Sequence, residues 1–240
     1  MTDFSLSTIA IAHTPFQEKF AIPRQANLLA IPAKIEILPP YNSLEAVAGL
    51  EQVSHIWLSF IFDQHISTPQ QKPRLSVRPP RLGGNKKLGV FATRSSFRPN
   101  ALGQSLLRLC AIEHDQQRLF LHVEGIDVLD QTAVVDIKPY VPYADCVEAR
   151  NAIAPQAPKP SLKVTWAAEA QAQLQQLKAG EWALIQDYIT GLIALDPRPA
   201  YKQKQCDGDY AMAHFDVDVH WRMNAADQAE VIGVFNAKQQ

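Results

Sequence analysis

The chain has 240 residues, 47% of them hydrophobic, enough for one domain with a substantial core and a second, smaller one. No apolar run approaches the roughly 20 residues that span a bilayer, and the opening MTDFSLSTIAIAH lacks the basic head and long apolar stretch of a secretory signal; a soluble, cytoplasmic protein with no membrane partner is expected. The three cysteines, Cys110, Cys146 and Cys206, are odd in number and far apart, which excludes a disulfide framework and paired zinc ligands and reads as buried or idle thiols.

Along the first 150 residues, short apolar and β-branched runs between turn residues predict strands over residues 6–12, 55–62, 88–93, 106–112, 118–123 and 133–137, with one short helix in SLEAVAGL from Ser43. Strands without long amphipathic helices between them imply a mainly β domain, an antiparallel barrel or sandwich rather than a doubly wound sheet. Residues 150–161, RNAIAPQAPKPS, carry three prolines, each of which fixes φ and removes a ladder donor. This linker divides an N-terminal domain, 1–149, from a C-terminal one, 162–240.

In the C-terminal domain, Thr165 is placed to cap a helix with Ala167, Ala170, Leu174 and Leu177 on one face, and Trp182, Ile185, Ile189, Leu192 and Ile193 make a second stripe. The two prolines of DPRPAY, residues 196–201, must end that second helix. Beyond them Phe215, Val217, Val219, Trp221 and Met223 alternate with polar residues as a half-buried strand does, and residues 231–235 can pair with it. The domain is a small α+β unit.

The net charge of −1 hides a sorting by position. Residues 64–112 contain no Asp or Glu but nine Lys and Arg; removing these from 23 basic and 24 acidic residues leaves 14 and 24, a charge of −10. Clustered cations neutralise phosphates and release counterions, so the expected partner is a nucleic acid. Arg78, Arg81, Arg94 and Arg98 alternate with prolines and glycines. They therefore sit on irregular loops, where a guanidinium fork binds phosphate or carboxylate through two parallel hydrogen bonds.

Further along, AVVDIKPY, residues 133–140, puts Asp136, Lys138 and Tyr140 on one face of an extended segment. Such a face either holds a general base beside an orienting cation or is an edge strand with a solvated ion pair. Asp127 and Asp130 in GIDVLDQT lie in a loop, as turn caps or as acceptors for ribose hydroxyls. The histidines have no HxxxH or HExxH spacing, so no metal is expected, and there is no GxGxxG or P-loop. Composition and spacing reach a β-rich protein with a basic loop surface and stop there.

The segments EKFAIPRQ from Glu18, GLEQVSHIWLSFIF from Gly49, VRPPRLGGN from Val77, GVFATRSSFRPN from Gly89 and VVDIKPYVP from Val134 resemble the TsaA-like family. The resemblance implies a β-barrel methyltransferase that works as a homodimer, uses S-adenosyl-L-methionine, and methylates N6 of N6-threonylcarbamoyladenosine at tRNA position 37, beside the anticodon. It implies cofactor contacts at Pro23, Arg24, Gln25, Asp63, Gln64, Arg94, Leu102, Asp127, Leu129, Asp130 and Thr132. Asp136, Lys138 and Tyr140 are then the catalytic candidates, with Arg78, Arg81, Arg98 and Asn100 on the RNA. The basic residues Arg198, Lys202 and Lys204, with Tyr201, read as further RNA contacts. In the family pattern His stands in place of Asp63 and Gly in place of Gln131. The rival reading is a non-catalytic RNA-binding protein using the basic 64–112 surface, which needs neither PRQ nor the Asp127 loop.

Overall fold

The computed structural model describes residues 5–62, 75–79, 87–115, 117–154, 156–178, 180, 182–199 and 201–237. Two compact units appear, one formed by Met1–Thr14 with Gln25–Ala149 and the other by Pro15–Arg24 with Arg150–Gln240.

In the first unit alternation drives barrel formation. β3 (His55–Ile61) reads as alternately half-buried and buried, with Ile56 and Leu58 fully enclosed. A strand that buries every second residue must lay that face against other strands. Around it stand β1 (Ala10–His13), β2 (Pro32–Ile37), β6 (Leu102–His114), β7 (Leu119–Glu124) and β8 (Thr132–Pro139). Among the described residues these six close into a barrel in the order β1-β2-β7-β6-β3-β8, every pairing antiparallel. Its core is Ile35, Ile56, Leu58, Leu107, Leu119, Leu121 and Val134, none with exposed surface. Closure leaves no unpaired edge.

The expected helix forms as α1 (Leu44–Val47). Two strand expectations need correction. Residues 88–93 supply no barrel strand: among the described residues Leu88–Gly89 (β5) pairs with Ser76–Val77 (β4), and the chain then coils into a 3-10 turn at Val90–Ala92. β2, absent from the expected set, takes the place. Its Ala33, Ile35 and Ile37 alternate inward between Lys34 and Glu36, a period-2 signal confined between Pro32 and the Pro39-Pro40 pair.

In the second unit, β10 (Asp209–His214), β11 (Val217–Ala225) and β12 (Gln228–Asn236) form an antiparallel meander, and β9 (Lys163–Trp166) adds to β12 in parallel. Thr165 is thus a strand residue opposite Glu230 and caps nothing; the helix α3 (Ala168–Leu177) begins after Ala167 without a side-chain cap. α3 buries Ala170 and Leu174, while α4 (Trp182–Ala194) buries Ile185, Ile189, Leu192 and Ile193. Val217, Val219, Trp221 and Met223 form the inner face of β11, as their alternation predicts.

The RNA reading of Arg198 is also corrected. Arg198 has no exposed surface; its guanidinium forms a two-point pair with Asp196 (2.7 and 2.9 Å) and donates to the Gln203 and Gln205 carbonyls. It locks the helix stop from inside. Cys110, Cys146 and Cys206 are all free and exposed, so they are not core thiols.

Close packing gives one direct test of the barrel. Gly103 lies opposite Phe60, and a Cβ there would collide with the Phe60 ring. Gly103→Ala should lower stability by about 1–3 kcal/mol, read as a fall in the urea midpoint at unchanged slope.

Candidate active site

The loop after β7 begins at Gly125, whose φ of +88° is one that residues with a Cβ rarely adopt. A Cβ at Gly125 would also strike the Asn27 side chain. This lets residues 25–27 lie against the loop: the Asn27 N–H donates to the Gly125 carbonyl (2.9 Å) and the Asn27 amide to the Leu106 carbonyl (2.7 Å). Asp127 then turns toward β6 and accepts from Ser105 Oγ at 2.6 Å. Ser105 is 4% exposed and sits opposite the fully buried Leu58, so its hydroxyl points inward.

Desolvation pushes the Asp127 carboxyl up to about 6, opposed by hydrogen bonds from Ser105 and the Ala26 N–H and by the charge of Arg94. Arg94 itself donates to Gln25 Oε1 at 2.7 Å. Gln25, Arg94, Ser105 and Asp127 therefore form one cluster within the barrel unit. A second set closes the same loop: the Thr14 N–H donates to Asp130 Oδ1 (2.9 Å), Thr14 Oγ1 to the Val128 carbonyl (3.0 Å), Thr132 Oγ1 to the Leu129 carbonyl (2.7 Å) and the Gln131 N–H to the Ala12 carbonyl (2.9 Å). Gln131 stands at φ 61°, a left-handed position that favours the Gly of the family pattern.

The other expected residues divide between several places. Pro23 is buried and Arg24 exposed, both with the second unit. Leu102, 37% exposed, opens β6 opposite Ile61. Arg98 is half-buried and donates to the Thr93 carbonyl (2.7 Å), while Arg78 and Asn100 are exposed. Asp63, Gln64 and Arg81 lie outside the described residues. Asp136 and Lys138 are exposed on the outer barrel face, opposite Ser59 and Trp57, because a bulge at Val135 shifts the alternation. Tyr140 follows, its ring 6.3 Å from those of His55 and Trp57. Desolvation and the neighbouring Cys146 raise its pKa. Asp136 and Ser105 thus face opposite sides of the sheet, and within one chain the described contacts join no member of the outer trio to the Asp127 cluster.

Residues absent from the sequence expectation are Ser105 and Thr14. Ser105 carries a weak signal, a lone hydroxyl at an inward position of GQSLL; Thr14 carries none.

Family models for the tRNA-methyltransferase O N-terminal domain and for the TrmO C-terminal domain match residues 11–146 and 159–237. The chain belongs to the TrmO family. A TrmO-family relative from Pseudomonas aeruginosa, named a putative S-adenosylmethionine-dependent methyltransferase RcsF, is 48% identical over 96% of this chain and 97% of its own. The tRNA (adenine(37)-N6)-methyltransferase of Escherichia coli is 40% identical over 94% of this chain and 96% of its own. A crystal structure of TrmO from Pseudomonas aeruginosa superposes with a TM-score of 0.76 at 39% identity, over 97% of this chain and 99% of that one. The barrel is therefore the TrmO barrel.

The raised Asp127 pKa fixes a sign. Its folded value lies above the unfolded 3.8, so stability falls as pH rises from about 4 through about 6 and stays lower above that, by up to about 3 kcal/mol. Asp127→Asn should remove this dependence and raise the melting temperature at pH 8, measured by calorimetry from pH 4 to 8.

Proposed function

We propose that this chain is an S-adenosylmethionine-dependent tRNA (adenine(37)-N6)-methyltransferase that acts on N6-threonylcarbamoyladenosine as a homodimer in the cytoplasm. The observation that carries the reading is the Asp127 cluster, set in a chain whose relatives bear that name over nearly its whole length. The residues fit the cofactor chemically. Its sulfonium and ammonium call for a carboxylate, which Asp127 supplies, and its own carboxylate calls for a guanidinium, which Arg94 supplies.

When bound, the cofactor supplies a methyl carbon on a positively charged sulfur. Gln25, Arg94 and Asp127 would hold the cofactor and orient it toward the substrate nitrogen, and positioning of this kind contributes roughly 7–11 kcal/mol. The N6 nitrogen belongs to a urea-like group and is a poor nucleophile. A base that takes its proton adds about 100- to 10,000-fold, and we assign that part to Asp136. Lys138 or Arg98 pairs with the threonyl carboxylate; plain adenosine leaves that cation desolvated and unpaired, and is disfavoured. Asn100 and Tyr140 orient the base. Arg78, Arg81 and the second unit's Lys202 and Lys204 hold the RNA backbone.

Asp136 faces outward and Ser105 inward on one sheet, so we assign the complete site to two copies, the outer face of one meeting the Asp127 cluster of the other. In a symmetric dimer, mixing inactive Asp127→Asn and Asp136→Asn proteins regenerates one intact site in each mixed dimer, about a quarter of wild-type activity. No recovery on mixing, with the mixed dimer shown to form, would place both groups in one subunit. Near-normal turnover of Asp136→Asn would remove its base role.

Substrate and reaction are tested together by incubating the protein with S-adenosylmethionine and tRNA carrying or lacking the threonylcarbamoyl group, then separating nucleosides by mass spectrometry. Methylation should appear only on the threonylcarbamoylated tRNA. Tight tRNA binding without cofactor binding would mark a non-catalytic RNA-binding protein.

A further inference from the structure

Pro15–Arg24 is a ten-residue excursion from the barrel unit: the chain leaves that unit after Thr14, packs with the second unit, and returns at Gln25. The hold on it is extensive. Phe16 is fully buried and bridges to His214, with the two rings edge-to-face at 5.1 Å. The Ala213 N–H donates to Glu18 Oε1 (2.9 Å), the Phe215 N–H to the Pro15 carbonyl (2.9 Å), and the Gln17 amide to Asp216 (2.9 Å). Phe20 stacks on Trp221, which carries Tyr210 as a second stacked neighbour. All of these partners lie in β10, β11 and their turn.

His214 is the innermost member of this hold. It has no exposed surface, and its Nε2 lies 2.7 Å from the Phe20 carbonyl. A carbonyl only accepts, so Nε2 carries the proton and donates. Among the described residues the buried Nδ1 has no hydrogen-bond partner, and desolvation lowers the pKa, so the ring is neutral with a fixed tautomer.

Both ends of the excursion emerge in the candidate active site. Thr14 is tied to Asp130 and Val128, and Gln25 to Arg94. Thr14 and Gln25 thus join the segment held by β10 and β11 to the Val128–Asp130 loop and to Arg94. A ten-residue loop without that grip would have to be ordered when ligand binds, which costs affinity.

We propose that the β10–β11 hairpin positions the cofactor site through Pro15–Arg24, with Glu18 and His214 as positioning residues. The second unit then acts on the chemistry through the chain as well as on the RNA. This rests on the cofactor reading above.

The test uses the full-length protein with Glu18→Ala, Glu18→Gln, His214→Ala and His214→Gln, and reads S-adenosylmethionine affinity by calorimetry beside tRNA affinity by filter binding. Each alanine variant removes one hydrogen bond and should weaken cofactor binding roughly three- to tenfold, with KM for the cofactor raised and kcat kept. tRNA affinity should not change. The glutamine variants, which keep an acceptor at 18 and a donor at 214, should recover most of the loss. His214→Ala cuts a buried site, and if it fails to fold, the half-exposed Glu18→Ala decides. A folded Glu18→Ala protein with wild-type cofactor affinity overturns the inference and leaves the functional reading standing. A wild-type protein that does not bind the cofactor overturns both.

Discussion

The pairing of β1 with β8 is the constraint on which the site depends. β1 is only four residues long, yet it pairs with β2 on one side and β8 on the other. That closes the barrel, with Ala10 and Ala12 fully buried. At the end of the same ladder the Gln131 N–H reaches the Ala12 carbonyl and Thr14 reaches Asp130 and Val128. Barrel closure and the shape of the Asp130 loop are therefore one event, and a slip of one residue would turn every side chain of β1 to the wrong face.

Within this frame the site is built against stability. A carboxylate next to Ser105 and pushed toward about 6 is ionised above that pH at a cost, and a cationic ligand is what would offset it. Two backbone positions add to the cost, Gln131 and Asn27, both non-glycine residues near φ 61°; such outliers persist where the surroundings over-determine them. The outer trio of Asp136, Lys138 and Tyr140 carries no comparable burial.

The strand-forming runs were legible: β3, β6, β7, β8 and β11 each overlap a run expected as a strand, with clean alternation in β3 and along most of β11, three consecutive buried residues in β7 and a bulge in β8. β2 was hidden because prolines bracket a six-residue run, and Thr165 misled because a β-branched residue before a helix reads as a cap until a parallel partner for β9 is known. The Arg198–Asp196 pair shows the same limit, since a basic residue in a proline-rich turn looks solvated until its burial is seen. Arg94 bonds Gln25 and acts on Asp127 by its charge, a proximity that spacing along the chain does not show. Ser105 and Thr14 could not be read, because their role is contact across 22 and 116 residues of chain.

The most direct measurement is an NMR titration of the isotope-labelled protein with S-adenosylmethionine, following backbone amides. Saturable shifts should be largest at Gln25, Arg94 and residues 127–132, with smaller ones spreading into 15–24. Saturable binding whose shifts leave Gln25, Arg94 and Asp127 unmoved would contradict this placement of the cofactor.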